Sequence, residues 1–328
     1  MKRLIPTLIL VIICLGGFWY ASSHDFFKEK QETAAPLVKV NQKDVASYTI
    51  KTSDTEIEMQ QKDGKWTMTK PTALPLNEYS ANGWVDSFNG ITKESTIDAE
   101  GKDLAKFGLD KPKQQFTVKL NNDTVQTLSV GNAMLVPGFD YAMFSGSPEV
   151  FKINDSQVKS LAKTQLDLME KSPIRLEYEQ VRGINVEWKG QKSTLTKTDT
   201  DKKSYEANWK LDDKDLKGSD ASAYLDKVQF LATEQPAKPA AEVKMDSPEL
   251  KLEVKYTDSS NKETTVVYLG KVEQDNLWLA QQGGQWAYSL PITSIQELAD
   301  KFKQLPQPPE QQAAPETPTA PAEQLQTK

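Results

Sequence analysis

Short stretches of alternating hydrophobic and polar residues, separated by tight-turn residues, run along most of this chain. Val45-Ala-Ser-Tyr-Thr-Ile50 opens the series. Ile57 and Met59 then alternate with polar neighbours, Asp63-Gly64 supplies a turn, and Trp66 and Met68 resume the alternation. A period of two interrupted by Asp-Gly predicts a β-hairpin, which Pro71 and Pro75 end. The period then changes. Ala81, Trp84, Val85 and Phe88 follow helical spacing, with Asn77 placed to cap a helix over 78–89. Gly108 is placed to end a short helical turn after Lys106-Phe107. Phe116 to Leu120, the turn Asn121-Asn122-Asp123, and Val125 to Val130 predict a second strand pair. Tyr141 to Phe144, Ser145-Gly146-Ser147-Pro148 and Val150 to Ile153 predict a third. A helix carrying Val158, Leu161 and Ala162, capped by Asn154 or Asp155, closes the set.

The same punctuation then returns. Val45 and Val181 open comparable strands 136 residues apart, and Pro112 and Pro248, each before an alternating strand, keep the same offset. The closing glycines Gly131 and Gly270 differ by 139 and the hairpin residues Trp66 and Trp209 by 143, which locates an insertion of about seven residues in a hairpin of the second copy. Tyr224, Leu225 and Val228 repeat the first helix face, Gln281-Gln282-Gly283-Gly284 replaces the Ser-Gly-Ser-Pro turn, and Ile295, Leu298, Ala299 and Phe302 mark a final helix. Strands joined by tight turns, with a few helices, predict an α+β fold: two tandem copies of a mainly antiparallel β domain with packed helices.

Ahead of the copies, Leu4 to Ala21 is an uncharged apolar run of 18 residues preceded by Lys2 and Arg3. As a helix it would span about 27 Å, close to the hydrocarbon thickness of a bilayer. Trp19 and Tyr20 fall at the end where amphipathic rings favour the interface. The run predicts an uncleaved transmembrane anchor with residues 1–3 in the cytoplasm. A signal peptide cut near Ala21-Ser22-Ser23 is the competing reading. The predicted order is therefore anchor 4–21, polar stalk 22–36, first repeat 37–171, second repeat 172–305, and a disordered Pro/Gln/Ala-rich tail 306–328.

Composition narrows the chemistry. Cys14, the only cysteine, lies inside the apolar run, and His24, the only histidine, lies just beyond it. Neither repeat holds a thiol or an imidazole, which excludes His-assisted serine or cysteine hydrolysis and His-ligated zinc. Beyond the anchor, 38 basic residues face 46 acidic ones, a balance of −8 that argues against a nucleic-acid partner. No metal and no cofactor is expected.

Several clusters hold residue types that chemistry could use. Asp213-x-Asp215-x-Lys217-Gly218 begins like a calcium loop, but Lys217 takes a ligand position and Tyr224 stands where a glutamate belongs. Ser156-x-x-Lys159 and Ser160-x-x-Lys163 fit a penicillin-recognising spacing without its partner motifs. Glu56 and Glu58 share a strand face and could form a carboxylate pair, although exposed sheet charges are far commoner. Trp66, Trp84, Trp188, Trp209, Trp278 and Trp286 could stack on sugars, yet most fall on the apolar phase of their element, as core residues do. No catalytic, cofactor or metal residue is assigned.

Three patterns together are specific: Asp63-Gly64-Lys65-Trp66 followed by Pro71, then Phe107-Gly108-Leu109-Asp110-Lys111-Pro112, then Leu128-Ser129-Val130-Gly131. They resemble the bacterial family known as domain of unknown function 4340. In the second copy Asp246-Ser-Pro248 stands in place of the Gly-Leu-Asp-Lys-Pro run. The resemblance implies a single-pass membrane protein with an extracytoplasmic body, often encoded beside ABC-transporter components of the gliding-motility type. The expected function is a non-enzymatic accessory or scaffold protein partnered with the membrane and with an ABC-type transporter or envelope protein. The alternative is an extracytoplasmic glycan or envelope-polymer binding module using exposed tryptophans.

Overall fold

The computed structural model describes Tyr20, residues 36–257, residue 260 and residues 262–304. The predicted anchor apart from Tyr20, the stalk before Pro36 and the tail 306–328 lie outside the described residues. Among the described residues, no helix is long and apolar enough to cross a membrane. The chain groups into two compact units. One gathers the segment ending at Val45 with Lys51–Ser53 and Trp84–Ala162; the other gathers Ala46–Ile50, Asp54–Gly83 and the segment from Lys163.

Two mainly antiparallel sheets with a few helices make the fold. The first has eight strands: β1 (Val45–Lys51), β2 (Glu56–Lys62), β3 (Lys65–Lys70), β4 (Ser95–Asp98), β5 (Gln114–Leu120), β6 (Val125–Ala133), β7 (Phe139–Phe144) and β8 (Val150–Asn154). Its spatial order is β3-β2-β1-β5-β6-β7-β8-β4. The second has nine: β9 (Val181–Trp188), β10 (Gln191–Lys197), β11 (Asn208–Leu211), β12 (Lys214–Lys217), β13 (Lys238–Pro239), β14 (Leu250–Thr257), β15 (Glu263–Glu273), β16 (Asn276–Gln281) and β17 (Trp286–Pro291). Its order is β12-β11-β10-β9-β14-β15-β16-β17-β13.

The period-two pattern explains the strands. Along β9, Ile184, Val186 and Trp188 are buried while Asn185 and Glu187 between them are half-exposed. Asp63 and Gly64 both adopt positive φ, 53° and 77°, the conformation a two-residue hairpin turn requires between β2 and β3. β3 is an edge strand, followed by Pro71 and Pro75, which lack the N–H donor a further strand would need. In the second sheet no proline follows β11, and β12 pairs there, with Trp209 opposite Leu216.

The helices are α1 (Glu78–Asn89), α2 (Asp155–Leu161), α3 (Gln165–Leu168), α4 (Gly218–Gln229) and α5 (Ile292–Lys303). Asn77 caps α1 through Ser80 N–H at 3.0 Å, and Asn154 caps α2 through Ser156 N–H at 2.9 Å. Buried faces of α4 (Tyr224, Leu225, Val228) and α5 (Ile295, Leu298, Phe302) join the core of the second sheet, where Tyr224 and Phe302 meet edge to face at 5.4 Å. Smaller clusters centre on Phe107, Leu109 and Val150 in one unit, and on Val243, Ala280 and Ala287 in the other.

Candidate functional site

The residues carrying the family resemblance come together as packing. Gly108 ends the turn 104–107 at φ 70°, and its N–H donates to the Ala105 carbonyl at 3.0 Å. Gly131 on β6 lies against that turn: a Cβ built there would stand 2.2 Å from the Phe107 carbonyl oxygen. Leu109 lies alongside, and the Phe107 ring meets Tyr141 at 5.0 Å. Phe107-Gly108-Leu109 and Leu128-Ser-Val-Gly131 thus form one lock, in which glycine lets two backbones touch. Its role is structural.

The tryptophans are also accounted for. Trp66 is buried against Tyr48, with centroids 4.8 Å apart, and its indole N–H donates to Asn82 Oδ1 at 2.8 Å. Trp84 donates to the Leu161 carbonyl at 2.8 Å, Trp188 to Gln296 Oε1 at 3.1 Å, and Trp209 to the Ser204 carbonyl at 2.9 Å. All four are buried. Trp278 and Trp286 are half-buried, and the Lys238 ammonium sits 3.8 Å above the Trp278 ring centroid. Among the described residues, no tryptophan is exposed.

Glu56 and Glu58 share one face, as their spacing predicts, and Lys70 bridges them at 2.8 and 3.2 Å. Hydrogen bonds from Gln60 and then Lys70 hold the Glu58 carboxyl below its ordinary pKa. A glycosidase acid needs the opposite shift. Ser156 N–H is capped, Lys159 pairs with Asp155 at 2.7 Å, and the Ser160 hydroxyl donates to the Gln157 carbonyl. Both serines thus sit on α2 as ordinary helix residues. Asp213 and Asp215 fall on the β11–β12 hairpin, and Gly218 opens α4 where a Cβ would stand 2.3 Å from the Tyr205 carbonyl oxygen. Among the described residues, no three His, Cys, Asp or Glu side chains gather closely enough to hold a metal ion.

Among the concavities of the described residues, two lie where the sequence patterns mark no site. One, of about 190 Å³, lies on the polar face of β9, β10 and β14 among Asn185, Glu187, Lys192, Thr194, Lys251 and Glu253. Its charges cancel locally: Lys251 meets Glu253 at 2.6 Å, Lys192 meets Glu187 at 3.3 Å, and Asn185 donates to Glu253 at 2.9 Å. Hydrogen bonds from Lys251 and then Asn185 depress the Glu253 pKa, so that carboxylate stays ionised and is a poor proton donor near neutral pH. The other, of about 390 Å³, is a groove between α4 and α5 lined by Ala223, Asp226, Lys227, Phe230, Ser294 and Glu297. Lys227 and Glu297 bridge it at 3.0 Å, and Phe230 stands 75% exposed at the end of α4. Helical spacing could have flagged Phe230, an aromatic two residues past Val228 and off the buried stripe.

Lys197, on β10, is a buried lysine. Desolvation lowers its pKa, yet its ammonium donates to the Lys202 carbonyl at 2.5 Å, which ties the 198–207 connection to β10. That contact fixes a loop.

These features define a class: a two-sheet, mainly antiparallel α+β protein in which the polar clusters described above are paired among themselves. A family profile described as domain of unknown function (DUF4340) matches residues 66–242. The match covers more than half of the chain, and the protein belongs to this family. It runs from Trp66 on β3 to Glu242 beyond β13, so it takes in parts of both sheets. No curated protein and no solved structure matches the chain.

Proposed function

We propose that the protein is a membrane-anchored, extracytoplasmic accessory or scaffold protein that works beside an ABC-type transporter or envelope complex and catalyses no reaction itself. The observation that carries this reading is the burial of Trp66, Trp84, Trp188 and Trp209, each with its N–H bonded inside the fold. A sugar-stacking module needs such rings at the surface. The same side chains here hold elements together, which is what a rigid presenting body requires. The groove between α4 and α5, with Phe230 at its rim, offers the kind of aromatic anchor on which protein contacts concentrate. The anchor is the apolar run Leu4 to Ala21, and Lys2 and Arg3 orient it with the body outside the cytoplasm.

In this reading the two sheets are tandem copies, with boundaries near 37–171 and 172–305. Supporting it, strands β3-β2-β1-β5-β6-β7-β8-β4 have counterparts in the order β11-β10-β9-β14-β15-β16-β17-β13, with β12 added at one edge. The larger Trp66-to-Trp209 offset has a place too. Two residues join β2 to β3, whereas the connection from β10 to β11 runs from 198 to 207.

The test is affinity purification of the full chain from membranes after crosslinking. The reading expects the chain in the membrane fraction, joined to a transport or envelope protein. A mature chain beginning near Ser22 or His24 and released from the membrane contradicts it. So does turnover of an envelope polymer that a single Asp or Glu replacement abolishes.

A further inference from the structure

The turns of the first sheet are polar with one exception. Asp63-Gly64, Asn121-Asn122-Asp123 and Ser145-Gly146-Ser147 are built of turn-forming polar residues, but β6 and β7 are joined through Met134-Leu135-Val136-Pro137-Gly138. From Asn132 to Phe139 there is no charge. Leu135 is 102% exposed and Val136 59%, so the apolar side chains stand in solvent at the point of a hairpin. The strand pair in the corresponding place of the second sheet, β15 and β16, turns through Gln274-Asp275. The tip is held in shape: Met134 N–H donates to the Phe139 carbonyl and Asp155 N–H to the Gly138 carbonyl, both at 2.9 Å. An ordered apolar tip presents its surface without a further ordering cost on contact.

The chain joins this unit at the end that carries the tip. Leu37 N–H donates to the Ile91 carbonyl at 2.9 Å; the next residue, Thr92, donates its N–H to Gln157 Oε1 at 2.8 Å. Gln157 lies in the first turns of α2, whose first residue, Asp155, bonds the tip at Gly138. Residue 37, which follows the stalk, is therefore linked through three hydrogen bonds to the apolar tip. The chain then crosses to the far end, where Asn121 N–H donates to the Asp44 carbonyl at 2.8 Å, beside the polar β5–β6 turn. The nine residues of β6 put about 30 Å between these ends. A stalk of residues 22–36 reaches at most about 50 Å when fully extended.

We propose that the β6–β7 tip is a second membrane contact, in which Leu135 and Val136 enter the interface of the bilayer that holds the N-terminal run. This rests on the membrane-anchored reading above. Charges around the base of the tip balance: Asp155 pairs with Lys159 at 2.7 Å, and the positive charges of Lys159 and Lys113 act on the Asp140 carboxyl. The contact is therefore apolar, and neutral lipid suffices.

The test uses the full chain with Cys14→Ser, carrying an environment-sensitive dye at Leu135→Cys or, as the far-end control, at Thr124→Cys, in vesicles of neutral phosphatidylcholine. The chain is expected to float with the vesicles, with the dye at 135 blue-shifted and quenched by lipid-borne quencher while the dye at 124 answers only to aqueous iodide. Flotation with both dyes equally open to iodide overturns the tip contact and leaves the anchor standing. Failure to float overturns both. A dye at 135 shielded from both quenchers only at high protein density assigns the tip to a second copy of the chain and refutes the lipid contact.

Discussion

Trp209 separates a structural reading of the tryptophans from a ligand-stacking one. Its ring is fully buried in the core of the second sheet, and its N–H donates to the Ser204 carbonyl at 2.9 Å, in the long connection between β10 and β11. Trp209→Ala removes a large buried ring and leaves a cavity, for which roughly 3–5 kcal/mol is expected. Trp209→Phe keeps most of the ring but strands the Ser204 carbonyl, at a cost of about 1–3 kcal/mol. Midpoints shift by about 2–4 °C per kcal/mol in a domain of 150–250 residues, so Trp209→Ala should melt on the order of 10 °C below the parent and Trp209→Phe between them. Thermal unfolding followed by far-ultraviolet circular dichroism measures both. The reasoning fails if Trp209→Ala melts with the parent, or if it loses polysaccharide binding while its stability is unchanged.

Gly131→Ala should destabilise by about 1–3 kcal/mol, because the new Cβ would meet the Phe107 carbonyl and force the two backbones apart; urea titration measures it. Asp140 carries a raised pKa, from burial first and the Asp155 charge second. A carboxyl whose folded pKa lies above its unfolded value costs stability once it ionises, and the cost fades as pH falls through that folded value. Asp140→Asn should therefore raise the melting temperature at pH 7, with the gain shrinking on acidification; a gain that grows in acid refutes the assignment. Glu149 behaves in the opposite sense, held low by hydrogen bonds from Lys93 and Thr96. Its contribution is present above the ordinary glutamate range and lost as pH falls through the depressed folded value, so Glu149→Gln should destabilise at pH 7 and converge on the parent in acid melts.

Much of the fold was legible because local signals agreed with the tertiary ones. Asp63-Gly64 named a hairpin, and the spacing of Ala81, Trp84, Val85 and Phe88 marked a helix whose bounds are Glu78–Asn89. What escaped had no periodic signal. Ser95–Asp98 forms β4 with three exposed residues, Ile97 among them at 39%, joined to β8 through backbone bonds that side-chain pattern does not record. The two-residue β13 is similar. Strand order also eluded local reading, since placing β5 beside β1 depends on sheet assembly rather than on either strand's composition. The groove was hidden because Lys227 and Glu297, the residues that bridge it, are 70 positions apart.

If the protein works as proposed, its body acts through a protein contact at the membrane. A photoreactive amino acid at Phe230, irradiated in intact membranes carrying the full chain, tests it most directly, with the identity of each adduct read by mass spectrometry. The account predicts crosslinks from the α4–α5 groove to an integral transport or envelope protein, lost when Lys227 and Glu297 are both replaced by tryptophan to fill the groove. Adducts confined to polysaccharide, or a groove that stays free of protein crosslinks in membranes, would contradict it.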